Sequence, residues 1–371
     1  MTIVYEKISK KLILALMLAA IIVAAIFAAL YLDLKLKYEE LLNQQITYPT
    51  SSSLSPTEIY EKTNASVVVI EKKLNISGFF KTKTKGLGII YDRVGHIITN
   101  FHIVEGADLI QVKFGNGTIL EAELLAYDIY SDLAVLKVNA SETLLKPLKF
   151  GNSDFLKVGD TVYIIGSLYG LPWTLSIGYI HTYPEKILQM EIQNGSERGN
   201  ITLIDIINFH APISPESSGG PLLDGQGRLV GIIVIKNETQ QIGYAIPSRL
   251  IEKIISELIR NHEYAHAWIG IEGKNMNQTL AEQISANFTT GFLITKVLPK
   301  SPAETSGLKS GDIIIKIDDI LITDESEIIY YLEKYKRPYD SVELVIYRNG
   351  TVLDAPVFLR LGRKPFPTLG L

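Results

Sequence analysis

Apolar and polar residues are distributed along this chain in three distinct ways. Leu12 to Leu32 is an unbroken apolar run of 21 residues, close to the roughly 20 that cross a bilayer as a helix. Lys7, Lys10 and Lys11 precede it, and the first charge after it is Asp33. By the positive-inside rule the N-terminus is expected in the cytoplasm and the rest of the chain outside. A cleavable signal peptide is the competing reading, since Ala24, Ala25, Ala28 and Ala29 could supply a cleavage site. The run exceeds the roughly 7–15 residues of a signal-peptide core, which favours an uncleaved anchor.

Beyond it, Leu34, Tyr38, Leu41 and Leu42 recur at helical spacing over Leu34 to Gln45, and the Ser/Pro/Thr-rich stretch Tyr48 to Thr57 reads as a linker. Folded chain is expected from Glu58.

From there to Pro247 the pattern changes to short β-branched and apolar runs: Val67 to Ile70, Gly88 to Tyr91, Ile97 to Thr99, Ile110 to Phe114, Thr161 to Ile165 and Leu229 to Ile235. Gly115-Asn116-Gly117 and Asp224-Gly225-Gln226-Gly227 supply turns between them. Strands at this spacing without alternating helices predict an all-β sandwich or barrel. Leu250, Ile251, Ile254, Ile255, Leu258 and Ile259 then mark one face of a helix over Ser248 to Asn261, with Ser248 as its expected N-cap. A second unit, Ala267 to Leu361, mixes strands (Phe292 to Val297, Ile313 to Ile317, Ser341 to Tyr347) with a helix at Glu325 to Lys334. The expected domains are therefore 1–33 (stub and anchor), 34–57, 58–247, the connecting helix 248–266, 267–361 and a frayed tail 362–371.

Composition narrows the chemistry. Of 371 residues 47% are hydrophobic and 20% charged, which suits folded protein. A net charge of -4 gives no reason to expect a nucleic-acid partner. With no cysteine, disulfides, Cys-ligated zinc and thiol catalysis are excluded. No G-x-x-x-x-G-K-[ST] loop occurs, so no nucleotide cofactor is indicated, and none of another kind is expected. Ten of the sixteen asparagines, from Asn64 to Asn349, stand in N-x-[ST] sequons and none precedes the apolar run, as expected of a glycosylated surface protein.

Three stretches in the β-rich region carry candidate chemistry: Thr99-Asn100-Phe101-His102, Ser131-Asp132-Leu133-Ala134-Val135-Leu136-Lys137 and Ser217-Ser218-Gly219-Gly220-Pro221-Leu222. A serine hydroxyl attacks an amide only when a positioned base removes its proton. Ser218 and His102 fit those roles, and Asp132 fits the carboxylate that orients and balances the imidazole. The chain order His, Asp, Ser is that of chymotrypsin. Gly219 and Gly220 allow a tight turn that brings the backbone N–H groups of Glu216 and Ser218 toward a developing oxyanion.

On these three blocks, T-N-x-H, S-D-L-A-V-L-K and S-G-G-P-L, the chain resembles the HtrA/DegP family. Supporting stretches are Gly86-Leu87-Gly88, Gly166-Ser167-Leu168-Tyr169-Gly170 and Ile242-Gly243-Tyr244-Ala245-Ile246-Pro247. The resemblance covers Glu58 to Leu361. It implies a mainly β fold, with a chymotrypsin-like double β-barrel and the triad in the cleft between barrels, and ATP-independent cleavage of misfolded or unfolded polypeptide, commonly by a trimer. Trp268-Ile269-Gly270-Ile271, Gly291-Phe292-Leu293-Ile294, Ser301-Pro302-Ala303 and Gly307-Leu308-Lys309-Ser310-Gly311-Asp312-Ile313-Ile314 resemble a PDZ domain, an α+β unit. There Ile269, Gly270 and Ile271 are expected to receive the carboxylate of a bound peptide, which adds as a strand to a sheet edge.

The chain departs from the family in two places. Glu216-Ser217-Ser218 stands where the family has Gly-Asn-Ser, and His210 where it commonly has Asp. A side chain at 216 resists backbone geometry that glycine permits and brings a carboxylate near the oxyanion. A surface chaperone or peptide sensor that binds through the PDZ domain without cutting is thus an alternative reading. A second alternative, a zinc peptidase, comes from His262-Glu263-Tyr264-Ala265-His266, which matches H-E-x-x-H. Ala211 to Ile213 and Val230 to Ile235 are candidate walls of a pocket for small or aliphatic side chains, with barrel core as the equal alternative.

Overall fold

The structure, a computed structural model, describes residues 28–33, 35, 53–168, 171–194, 197–234, 242–284, 286, 288–353 and 357–364. Within the apolar run only 28–32 are described, and they are helical. The rest of that run, the segment Leu34 to Gln45 except residue 35, and Tyr169, Gly170, Asn237 and Asn287 lie outside the described residues. No helix among the described residues is long and apolar enough to cross a membrane. The chain divides into two units, Met1–Ser53 and Leu54–Leu371, and among the described residues every strand belongs to the second.

Ordered chain in that unit begins before Glu58. Ser55 caps α1 (Pro56–Thr63). The Glu58 N–H donates to the Ser55 hydroxyl at 3.3 Å, and the Ser55 N–H donates to the Glu58 carboxylate at 2.8 Å. This reciprocal box satisfies two of the donors a helix start leaves open. The Leu54 N–H donates to the Gly225 carbonyl, and Ile59 is fully buried. The C-terminal end of the expected linker is therefore fastened to the barrel at Gly225.

Two closed six-stranded barrels follow. The first joins β1 (Val67–Ile76), β2 (Phe79–Ile90), β3 (His96–Asn100), β4 (Leu109–Lys113), β5 (Ile119–Asp128) and β6 (Leu133–Val138) in the order β1-β2-β3-β6-β5-β4, with the short helix α2 (Phe101–Val104) after β3. The second joins β7 (Thr161–Leu168), β8 (Leu171–Asn194), β9 (Glu197–His210), β10 (Pro221–Leu223), β11 (Leu229–Val234) and β12 (Ile242–Pro247) in the order β10-β11-β12-β9-β8-β7. Val67 to Ile70 and Leu133 to Leu136 are buried at every position. Their continuous apolar runs, without polar alternation, follow from cover on both faces.

Part of that cover is α3 (Ser248–Asn261), which packs on β5, β6 and β11. Leu250, Ile251, Ile254, Ile255 and Leu258 are buried there, worth about 1.5–3 kcal/mol each before chain entropy is charged. Ser248 is not the cap. Pro247 holds that position, and the Ser248 hydroxyl donates to Gly151 O at 2.9 Å and accepts the Ser153 N–H at 3.1 Å. The helix start is thus pinned to the loop between the barrels.

The remaining sheet comprises β14 (Ile271–Asn275), β15 (Phe292–Val297), β16 (Ile313–Ile317), β17 (Ile320–Leu321), β18 (Ser341–Arg348), β19 (Thr351–Val352) and β20 (Val357–Arg360). Helices α4 (Gln278–Gln283), α5 (Pro302–Thr305) and α6 (Glu325–Tyr335) accompany it, and Phe292, Ile294, Ile314, Leu344 and Ile346 fill its core. Gly362 does not begin a frayed tail: β21 (Gly362–Arg363) pairs with β13 (Ala267–Trp268), closing the domain on its own first residues.

Candidate active site

The three sequence blocks meet between the barrels. β3 ends at Asn100 and delivers His102 on α2, while Asp132 closes the turn before β6. Asp132 sits at φ 55°, in the left-handed region, and is 1% exposed. Its carbonyl accepts the Phe101 N–H at 3.0 Å and the Asn100 side-chain amide at 3.2 Å. Its carboxylate accepts the His102 backbone N–H at 2.9 Å and lies 2.7 Å from His102 Nδ1. Two bonds to one residue fix both the place and the ring orientation of the imidazole. They put the proton on Nδ1 and leave Nε2 as the basic nitrogen.

Burial works against the charged form of His102, but the Asp132 carboxylate, with a smaller contribution from Glu105, outweighs it and holds the imidazole above its ordinary range. That is the direction a catalytic base needs if it is to retain the proton it takes.

Ser218 comes from the second barrel, in the loop before β10. The Leu87 N–H of the first barrel donates to Ser218 O at 2.8 Å, and Leu87 O accepts the Thr99 hydroxyl at 2.7 Å. Gly219, at φ +80°, presses against the same strand: a Cβ there would stand 2.0 Å from Leu87 O, 2.6 Å from Thr99 Oγ1 and 3.0 Å from Ile103 Cδ1. The serine loop is therefore held against the residues flanking His102 only because position 219 lacks a side chain.

The expected oxyanion pocket is closed. Pro215–Ser217 forms a 3-10 turn in which the Ser217 N–H donates to Ser214 O at 2.8 Å and the Ser218 N–H donates to Pro215 O at 3.1 Å. One of the two nominated donors, Ser218, is thereby occupied. Ser167 ties the turn down: its hydroxyl donates to the Glu216 carboxylate at 3.0 Å, its N–H donates to Ser217 Oγ, and its carbonyl accepts the Ser217 and Ser214 hydroxyls. The Glu216 side chain is thus an anchor of the closed turn.

Other expectations resolve as packing. Ala211, Val230 and Ile233 are fully buried in the second barrel's core, with Ile213 against them. His210 stacks on Tyr179, ring centroids 5.3 Å apart. The H-E-x-x-H stretch does not form a helical zinc site. α3 stops at Asn261, His262 adopts φ 58°, and the two histidines never share a helix face. In the second domain Gly270 sits at φ +88° with Ser301 where a Cβ would go. The carbonyls of Ile269 and Gly270 accept the Ala303 and Leu298 N–H groups. Trp268, Ile269, Ile271, Phe292, Ile328 and Leu332 line a cavity of about 180 Å³ between this loop and α6.

Asp128 and Pro215 were not singled out by sequence, and Ser167 stood there only within a stretch that supports the family resemblance, with no role at the serine turn. Asp128 had one available signal, a turn-forming aspartate four residues before Asp132. Its carboxylate accepts the Tyr130 and Ser131 N–H groups at 3.3 and 3.1 Å and so shapes the turn that presents Asp132.

A trypsin-like peptidase domain model matches residues 86–232, and a PDZ domain model matches residues 267–359. Protease Do-like 8, chloroplastic, of Arabidopsis thaliana is 32% identical over 84% of this chain and 74% of its own length. Serine protease Do-like HtrA of Bacillus subtilis is 34% identical over 74% of this chain and 63% of its own. The chain spans only 54% of a DegP-like periplasmic endoprotease of Marinomonas sp.. Among solved structures, the HtrA-type protease AlgW with decapeptide superposes with a TM-score of 0.71 at 27% identity, covering 85% of this chain and all of that one. Agreement over both domains in the same order, at this identity and coverage, establishes that the chain belongs to the HtrA/DegP family of serine proteases.

Proposed function

We propose that the chain is a serine endopeptidase that cuts misfolded or unfolded polypeptide outside the cytoplasm without ATP. The observation that carries the reading is the buried Asp132 carboxylate bonded to both the backbone and the ring of His102, with the Ser218 carbonyl docked on the Leu87 N–H of β2. His102 Nε2 takes the Ser218 proton as the hydroxyl attacks the scissile carbonyl, and Asp132 balances the imidazolium. The N–H groups of Glu216 and Ser218 receive the oxyanion once the Pro215–Glu216 peptide turns over, which carries the Glu216 N–H round and releases the Ser218 N–H from Pro215 O. The N–H groups of Ile269, Gly270 and Ile271 hold the carboxylate of a peptide laid along the cavity beside α6. An N-terminal anchor with both domains outside, glycosylation at the sequons and a homotrimeric assembly complete the reading, which includes no nucleic-acid partner.

The test is cleavage of an unfolded protein such as casein by the full chain in detergent, beside its Ser218→Ala variant, each with and without chelator. Cleavage lost only in the variant supports the serine mechanism; cleavage that survives it, or that the chelator abolishes, overturns it. The closed turn, with the Ser218 N–H committed to Pro215 O, favours a second reading: a peptide-binding surface chaperone that does not cut. Casein held soluble but uncut by both proteins would establish that one.

A further inference from the structure

The H-E-x-x-H stretch ends in a histidine that neither zinc chemistry nor the triad accounts for. His266 is 5% exposed and lies between the first barrel and the second domain. Its Nε2 is 3.0 Å from both carboxylate oxygens of Asp128, and its Nδ1 is 2.7 and 2.8 Å from those of Glu333. A carboxylate only accepts, so an imidazole with one at each nitrogen must donate from both and is therefore a cation. The rings of Tyr130 and Tyr264 stand edge-on to it, centroids 5.0 and 4.8 Å away. Lys364, whose N–H donates to His266 O, lies over the Tyr130 ring, and Lys253 of α3 lies over the Tyr264 ring. Burial opposes the charge on His266, but Asp128 and Glu333 outweigh it and push the imidazole up to about 10.

The two carboxylates belong to different machines. Asp128 holds the turn that ends in Asp132, through the Tyr130 and Ser131 N–H groups, and the Asp132 N–H closes the turn on Ile129 O at 3.2 Å. Glu333 lies in the last turns of α6, whose Ile328 and Leu332 line the second domain's cavity. Without a cation at 266, Asp128 is a buried carboxylate lacking its counter-charge, and it must take up a proton or move. Either change alters the acceptor that shapes the Asp132 turn.

We propose that His266 is a positioning residue for the catalytic carboxylate: by holding Asp128 it sets the turn that presents Asp132 to His102, and Glu333 of the second domain supports it by holding its other nitrogen. The proposal rests on the proposed role of Asp132. The test therefore pairs an activity readout with one that needs no turnover. The full chain in detergent is compared with His266→Gln and Glu333→Gln for kcat and KM on casein, for thermal unfolding, and for the low-field proton resonance of the His102–Asp132 hydrogen bond.

His266→Gln is expected to unfold cooperatively, with a shifted or broadened low-field resonance and kcat reduced by up to roughly 10²-fold at similar KM, the scale of a small misplacement of a catalytic group. Glu333→Gln is expected to move the same readouts in the same direction by less, and it decides the matter if His266→Gln does not fold. A folded variant with wild-type kcat and an unmoved resonance overturns the proposal and leaves His266 as interdomain cement. If the wild type cuts nothing, the resonance alone decides, and failure of the enzymatic reading is then seen separately.

Discussion

Replacing Glu216 by glycine should open the oxyanion pocket. In the closed turn the Glu216 carboxylate accepts the Ser167 hydroxyl at 3.0 Å, and the Ser218 N–H is spent on Pro215 O. A hydrogen bond to a charged group contributes about 1.5–3 kcal/mol when buried. Glu216 is only half-buried, so about 1 kcal/mol is the fitting share. Removing the Cβ also frees the backbone to turn the Pro215–Glu216 peptide, worth roughly another 1 kcal/mol. Together these shift the equilibrium toward the open turn by about 2 kcal/mol, some 30-fold, at about 1.4 kcal/mol per factor of ten. Loss of one oxyanion donor typically costs about 10²–10³ in kcat, so a population mostly closed has room for that gain. Glu216→Gly should therefore raise kcat on casein by about tenfold or more with KM little changed. Ser167→Ala, which removes the bond but keeps the Cβ, should give a smaller rise. The assay is steady-state cleavage by the full chain in detergent, with thermal unfolding as the control for folding. A folded Glu216→Gly variant with equal or lower kcat would refute the reasoning and show that the closed turn does not limit the reaction.

Asp132→Asn should lower kcat by about 10⁴-fold while the fold persists, because an amide facing Nδ1 stabilises the wrong tautomer of His102; peptide cleavage kinetics would check it. The His102 imidazole is raised above its ordinary range, and a base works only when neutral. Activity should thus be lost as pH falls, with the acid limb of kcat/KM centred above about 6.5, and a midpoint below that value would contradict the Asp132 pairing. Gly219→Ala should destabilise the protein by at least about 1–2 kcal/mol and reduce cleavage, since a non-glycine residue at φ +80° is strained and its Cβ would overlap Leu87 O; unchanged urea unfolding would count against the docking described for the serine loop.

Much of the catalytic reading was legible locally. The blocks around His102, Asp132 and Ser218 carry their chemistry within a few residues each, and the buried stretches 67–70 of β1, 133–136 of β6 and 229–234 of β11 declare themselves as continuous runs without a polar residue. The long hairpin of β8 and β9 did not. From Leu188 to Gln193 apolar and polar residues alternate with the period of two that marks a strand, a different signal from a continuous run, and the pairing from Leu188↔Leu203 to Gln193↔Arg198 supplies its register. The helix cap at Ser55 was hidden by a Ser/Pro composition that reads equally as linker and as helix cap.

The sequence by itself determined which residues could do the chemistry, the order of the domains and the character of the strands, because each of those follows from residue type and short-range spacing. Tertiary structure alone decided whether the groups are ready to act. The Ser218 N–H is engaged because a four-residue turn is tied to Ser167, a strand away. His266 is a buried cation because residues 138 and 67 positions distant bring carboxylates to its two nitrogens. Hydrogen-bond partners and local dielectric are set by what packs against a group, and no local pattern contains them.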